Sequence, residues 1–253
     1  MAKMFRASAF CHGSIDLFTH AGGGASAYAN WAKFLPESIE VWALQLPGRE
    51  DQLAEPMIDR MPALVETVLP YLIQLTDKPF VLFGHSMGAS LGYEICQALH
   101  RRQDPLPLHL IVSGREAPMR NRSDTIHLAS DQALMDSLID MEPAMADVLA
   151  HRDLADLCLP VIRNDYALIN SYCPDPSDPP LPIRVTGLSG KDDEELLPGD
   201  MDAWSTTTGY AYQHYVFPGR HFYLREQRDA VIQVIQQIVA DAMTEHQNIL
   251  KVT

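Results

Sequence analysis

Gly84-His85-Ser86-Met87-Gly88 stands directly after the apolar run Phe80-Val81-Leu82-Phe83 and directly before a helical pattern running from Ala89 to Arg102. In that strand–turn–helix setting a G-x-S-x-G pentapeptide carries chemical meaning. Its glycines permit a turn too tight for larger side chains, and the turn lifts the serine hydroxyl clear of the sheet edge at the positive end of the next helix. Ser86 is therefore the candidate nucleophile. A serine hydroxyl is a poor nucleophile at neutral pH, so a base has to stand within hydrogen-bond reach.

In this arrangement the partners follow in the order Ser, acid, His. The chain has ten histidines, and position sorts them. His221 lies in Pro218-Gly219-Arg220-His221-Phe222, after the last apolar run and before the C-terminal helical pattern, at the carboxyl edge of the expected sheet. His214 falls inside the preceding strand, and His246 in the tail. His100, His109, His127 and His151 lie on elements with no strand end beside them, and His85 is expected to point away from its neighbour Ser86. The acid belongs after the penultimate strand, where Gly190-Lys191-Asp192-Asp193-Glu194-Glu195 offers four successive carboxylates. Most of these read as a solvated loop; one orients the imidazole and stabilises its charged form. A Gly-x-x-Asp spacing from Gly190 selects Asp193, with Asp192 the alternative.

An oxyanion hole completes such a site. One donor is the backbone N–H of Met87, the residue after the nucleophile, and the other comes from the loop after an early strand. Here that loop is His20-Ala21-Gly22-Gly23-Gly24-Ala25-Ser26, and the Ala21 N–H is the favoured donor. A phosphate cradle is the competing reading of the glycine run, but no Gly-Lys-Ser/Thr follows it. Metal chemistry finds no support: there is no His-Glu-x-x-His, Cys/His cluster or EF-hand loop.

Short apolar runs alternate with longer helical patterns, which predicts an α/β fold with a mainly parallel sheet flanked by helices. Strands are expected over 15–19, 40–46, 80–84, 109–113, 183–189 and 212–217, and helices over 25–35, 61–75, 88–102 and 229–245. From 121 to 172 nothing reads as a strand, while Leu134, Leu138, Leu149, Leu154, Leu157 and Ile162 recur at helical spacing. A helical insertion between two strands is expected there, placed to act as a lid, with the whole of 1–253 forming a single α/β-hydrolase domain.

The 253 residues are 47% hydrophobic and carry 33 acidic against 19 basic side chains, a net charge of −14. Such a surface repels phosphate backbones and anionic lipid, which disfavours nucleic acid and membrane as partners. No stretch of eighteen apolar residues occurs. The apolar segment after Lys3 and Arg6 is broken by His12 and Asp16, so it fails as a signal peptide. Four scattered cysteines (Cys11, Cys96, Cys158, Cys173) read as buried or half-buried free thiols and, with the rest, predict a cytoplasmic setting.

The chain resembles the type II, or editing, thioesterases that accompany polyketide synthases and non-ribosomal peptide synthetases. The elbow at Ser86 alone says only α/β-hydrolase. The narrower resemblance rests on Phe18-Thr19-His20-Ala21-Gly22-Gly23-Gly24, Leu46-Pro47-Gly48-Arg49-Glu50, Ser113-Gly114-Arg115-Glu116-Ala117-Pro118, Arg163-Asn164-Asp165-Tyr166 and Gly219-Arg220-His221-Phe222, in this order. It implies hydrolysis of acyl groups stalled on the phosphopantetheine thiol of acyl or peptidyl carrier proteins, through an acyl-Ser86 ester, with no cofactor of the enzyme's own. Relatives often carry glycine where Arg220 stands and another arginine after Glu50. Carrier proteins are commonly acidic like this chain, so docking would call on a local basic patch, with Arg49, Arg115, Arg120 and Arg122 as candidates. The same triad would serve a small-molecule esterase or a chain-releasing thioesterase or acyltransferase. The absence of a fused carrier segment favours the stand-alone editing role, and an intact Ser, Asp and His argue against a non-catalytic carrier-binding protein.

Overall fold

Successive side chains of a strand leave on opposite faces, and that alternation sorts the core. In the computed structural model, which describes residues 2–6, 11–75, 77–122 and 124–252, Ile15 and Leu17 of β2 (Gly13–Phe18) serve one face of the sheet and Phe18 the other. β4 (Phe80–His85) divides likewise: Val81 and Phe83 join Ile15 and Leu17, while Phe80 and Leu82 join Phe18. Both faces are buried, which is why these strands read as continuous apolar runs.

The remaining strands are β1 (Ala2–Arg6), β3 (Ile39–Leu44), β5 (His109–Ser113), β6 (Arg184–Gly190) and β7 (Gln213–Phe217). Among the described residues they form one seven-stranded sheet in the order β1-β3-β2-β4-β5-β6-β7. β1 pairs antiparallel with β3, and every other neighbour runs parallel. The expected strands lie within a residue or two of those observed; β1 is an addition.

Helices α1 (Met61–Ile73) and α2 (Met87–Arg102) cover one face, burying Leu64, Val68, Leu91, Ile95 and Leu99 against it. On the other face lies α7 (Arg228–Val252), whose Val231, Ile235, Ile238, Val239 and Ala242 recur at three and four residues, one stripe of a helix. The helix expected over 25–35 is instead two 3₁₀ turns, Ala25–Tyr28 and Trp31–Lys33. Ala25, Tyr28 and Trp31 are the buried members, and their spacing of three is the period of the tighter coil.

Between β5 and β6 the insertion carries α3 (Asp131–Met141), α4 (Met145–Leu149) and α5 (Arg152–Asn170). Ser130 caps α3 by accepting the Ala133 N–H at 3.3 Å. Leu134, Leu138, Leu149, Ala155, Leu159 and Ile162 form a small core of their own, separate from the two sheet cores. Pro160 lies within α5, where it removes one helical hydrogen bond. Cys11 and Cys96 are buried and Cys158 half-buried, but Cys173 is exposed, contrary to expectation, because it follows α5 in the proline-rich link to β6. No described helix is long and apolar enough to cross a membrane.

Candidate active site

Ser86 occupies the single residue between β4 and α2, with φ 55° and ψ −119°, a conformation that costs a non-glycine residue energy and is held by its surroundings. Its N–H donates to the Ser113 carbonyl at 2.8 Å, and its carbonyl accepts the Ala89 N–H at 2.9 Å. The flanking glycines are required by contact: a Cβ at Gly84 would overlap the Gly88 carbonyl, and one at Gly88 would overlap the Phe18 carbonyl. Met87 opens α2, so its N–H has no acceptor inside the helix and is free to face a developing negative charge.

β6 and β7 end side by side, and the turns after them bring Asp193 and His221 together. His221 Nδ1 lies 3.0 Å from Asp193 Oδ2 and 3.1 Å from Oδ1, with both residues buried. Asp193 Oδ1 also accepts the Glu195 N–H at 3.1 Å. Asp192 is exposed and joins the site only through its backbone N–H, which donates to the Gly219 carbonyl at 2.9 Å. With Nδ1 turned to the carboxylate, Nε2 is the imidazole atom available to a hydroxyl or a leaving group.

His85 lies behind this pair, its ring centroid 5.0 Å from that of His221. Its Nδ1 is 2.9 Å from Ser113 Oγ, which is 2.6 Å from the Tyr223 hydroxyl. Burial, with His221 and His20 close by, holds His85 well below the usual imidazole range. It therefore stays neutral beside His221 and sets no second cation against an imidazolium formed there. The Ser113–Tyr223 support had no local signal in the sequence.

Ser86, Met87, Ala21 and His221 line one cavity of about 380 Å³, with Tyr166 and Ile169 of α5 on its wall. A larger groove of about 570 Å³ lies at the opposite, amino-terminal end of the strands beside His109, Arg184 and α7, and holds none of these residues. Among the described residues no group of three or more His, Cys, Asp or Glu is placed to bind a metal ion. The geometry thus offers a hydroxyl on a strained elbow, an imidazole backed by a carboxylate, and backbone N–H groups around one cleft, which is the equipment of acyl transfer.

The sequence model of the thioesterase-domain family matches residues 14–239. The chain belongs to that family. It is similar to the gramicidin S biosynthesis protein GrsT of Aneurinibacillus migulanus, with 33% identity over 215 residues that cover 85% of this chain and 84% of GrsT. Similar solved structures include the type II thioesterase BorB from the borrelidin biosynthetic cluster (34% identity, TM-score 0.85, covering 96% of this chain and 97% of BorB). The RedJ thioesterase of the prodiginine pathway in Streptomyces coelicolor is 35% identical, with a TM-score of 0.85 over 90% of this chain and 86% of that one. The α/β-hydrolase fold and the resemblance to type II thioesterases, both legible in the motifs, hold.

Within this thioesterase one docking candidate is corrected. Arg49 is 6% exposed and forms an ion pair with Asp165, so it presents no charge to a partner. Arg115 is half-buried and bound to Glu116 and Asn121. Arg120 and Arg122 remain exposed, both paired with the buried Asp200, at 3.7 and 2.8 Å. Arg220 donates to the Asp140 carbonyl at the end of α3 at 2.6 Å and to Glu194 at 2.8 Å. Arg225 pairs with Glu142 at 3.3 Å. The histidine turn and α6 (Tyr223–Glu226) thus touch the insertion through exposed charges.

Proposed function

We propose that this thioesterase hydrolyses acyl groups from the phosphopantetheine thiol of acyl or peptidyl carrier proteins, clearing polyketide or non-ribosomal peptide assembly lines of stalled intermediates. The observation that carries this reading is the convergence of strained Ser86 and the buried His221–Asp193 pair on one cavity beneath the helical insertion. Ser86 Oγ attacks the thioester carbon while His221 Nε2 takes its proton, and the Met87 and Ala21 N–H groups receive the oxyanion. Collapse breaks the C–S bond, His221 returns the proton to the departing thiol, and an acyl-Ser86 ester remains. A water deprotonated by His221 then releases the acid and restores Ser86. Residues 121–172 serve as the lid over this cavity, and no cofactor is needed besides the pantetheine arm that brings the substrate. Arg122, which lines the cavity, and the neighbouring Arg120 are the basic groups left to meet an acidic carrier.

The test is intact-protein mass spectrometry of an acetyl-loaded carrier protein incubated with the wild type or with Ser86→Ala. Loss of the acetyl mass with the wild type alone is expected. Survival of the acetyl group with both, while a small ester is cleaved by the wild type, would replace the editing role with an esterase or product-releasing one.

A further inference from the structure

Three stretches far apart in the chain meet at one carboxylate. Asp165 of α5 is 1% exposed, and its two oxygens face the guanidinium of Arg49 as a fork, Oδ2 at 2.6 Å from Nη1 and Oδ1 at 2.9 Å from Nη2. Oδ2 also accepts the Gly22 N–H at 2.7 Å. From the other side Arg49 Nη1 donates to the Gly23 carbonyl at 3.2 Å. Gln45 finishes the clamp: its Oε1 accepts the Ala25 N–H at 3.0 Å and its Nε2 donates to the Arg49 carbonyl at 3.2 Å.

The clamped residues lie next to Ala21. The Gly23 N–H donates to the His20 carbonyl at 3.0 Å, which fixes the plane of the His20–Ala21 peptide. In a trans peptide the N–H points opposite the carbonyl, so the same bond sets the direction of the Ala21 N–H. Gly22, at φ +75°, turns the chain where a Cβ would overlap Ile162 of α5. The path from the ion pair to the Ala21 N–H therefore runs through two glycines with little stiffness of their own, and it depends on the charges at either side.

We infer that Arg49 and Asp165 are positioning residues for the thioester reaction: they hold the Ala21 N–H on the oxyanion and tie that donor to the helix whose Tyr166 and Ile169 wall the cavity. This rests on the reading of Ser86 as nucleophile and Ala21 as oxyanion donor. A pair that served the fold alone would affect stability and leave catalysis per folded molecule unchanged.

The experiment separates the two by replacing both charges. A buried ion pair exchanged for apolar side chains of similar volume commonly keeps or gains stability, whereas breaking one half is destabilising. Arg49→Met with Asp165→Leu in one chain is therefore expected to stay folded, melting somewhat below the wild type because the Gly22 N–H loses its acceptor and the Gly23 carbonyl its donor. On a small acyl thioester its kcat should fall by about 10²- to 10³-fold, the scale of one lost oxyanion donor, with KM within about threefold of the wild type, as for an interaction made mainly in the transition state. A trifluoromethyl ketone analogue, whose adduct with Ser86 carries the oxyanion, should lose affinity in proportion to kcat/KM, while a thioether analogue lacking that oxygen binds as before. Arg49→Lys, which keeps the charge and gives up the fork, should fall between. Wild-type kcat in a stably folded double variant, or equal losses of affinity for the two analogues, would overturn the inference. Full turnover by Ser86→Ala would instead sink the underlying reading of the nucleophile.

Discussion

Asp16 gives the protein a pH dependence that lies outside its active site. The residue sits in β2 on the α1 face, surrounded by Phe18, Trp42, Leu44, Val68, Leu72 and Leu75. It is 3% exposed, and among the described residues neither carboxyl oxygen has a hydrogen-bond donor. Burial, with a smaller push from the Glu40 carboxylate, lifts its pKa from 3.8 to about 8. Between those two values the folded state holds a proton that the unfolded chain has released, so stability falls as pH rises through the window and is level below and above it. At about 1.4 kcal/mol per pH unit, the span from about pH 4.5 to about pH 7.5 amounts to roughly 4 kcal/mol. Asp16→Asn keeps the shape and abolishes the titration. Its stability relative to the wild type should therefore improve by about 4 kcal/mol across that span, a relative gain of roughly 8–16 °C in Tm for a chain of this size. Urea unfolding of both proteins at several pH values, followed by tryptophan fluorescence, measures the gap. Parallel stability curves would show that Asp16 ionises in the folded protein at its ordinary value, and the reasoning would be refuted.

Other outcomes follow from the site and the core. Asp193→Asn should lower kcat by about 10⁴-fold, as when an imidazole loses the carboxylate that sets its tautomer, while Asp192→Asn stays within about threefold; steady-state kinetics on a small thioester checks the ranking. Trp204 is fully buried, packs edge-on against Tyr93, and donates its indole N–H to the Arg115 carbonyl at 2.8 Å. Trp204→Ala should cost about 3–5 kcal/mol in denaturant titrations. In the native protein a thiol reagent should modify Cys173 quickly and Cys158 slowly, while Cys11 and Cys96 react only on unfolding, with peptide mass mapping as the readout.

The strand–turn–helix at Ser86 was legible because its constraint is local: overlap between Gly84 and Gly88 allows few residues at that spacing, wherever the turn occurs. His221 could be found because a strand end followed by a helix confines it to one edge of the sheet. Asp192 and Asp193 differ by the turn of one residue, and only the packing of the loop after β6 buries the second against the imidazole. The turns over 25–35 misread as a helix because burial of Ala25, Tyr28 and Trp31 at a period of three is close to the α-helical period over so short a span. β1, Ala-Lys-Met-Phe-Arg, has neither a β-branched residue nor an alternating pattern to announce it, and its partner β3 lies beyond β2 in the sequence. The sequence alone places Arg49 among the surface charges, because its partner lies 116 residues away, a distance over which pattern carries no information.

Because α3, α4 and the first half of α5 pack on a small core of their own, while Leu168 and Ile169 at the end of α5 join a sheet core, that first part can change without disturbing the sheet. The seam between the insertion and the rest of the molecule is nevertheless uneven. α3 leans on the rest of the molecule through exposed charges at Arg220 and Arg225, which tolerate exchange. The last turns of α5 are fastened by Asp165 to Arg49 and the glycine loop. A chimera that borrows a relative's insertion as far as Pro160 keeps that fastening, whereas one cut beyond Asp165 has to bring a matching carboxylate with it. The region free to diversify therefore ends in the middle of a helix, ahead of any loop where a recombination boundary would ordinarily be drawn.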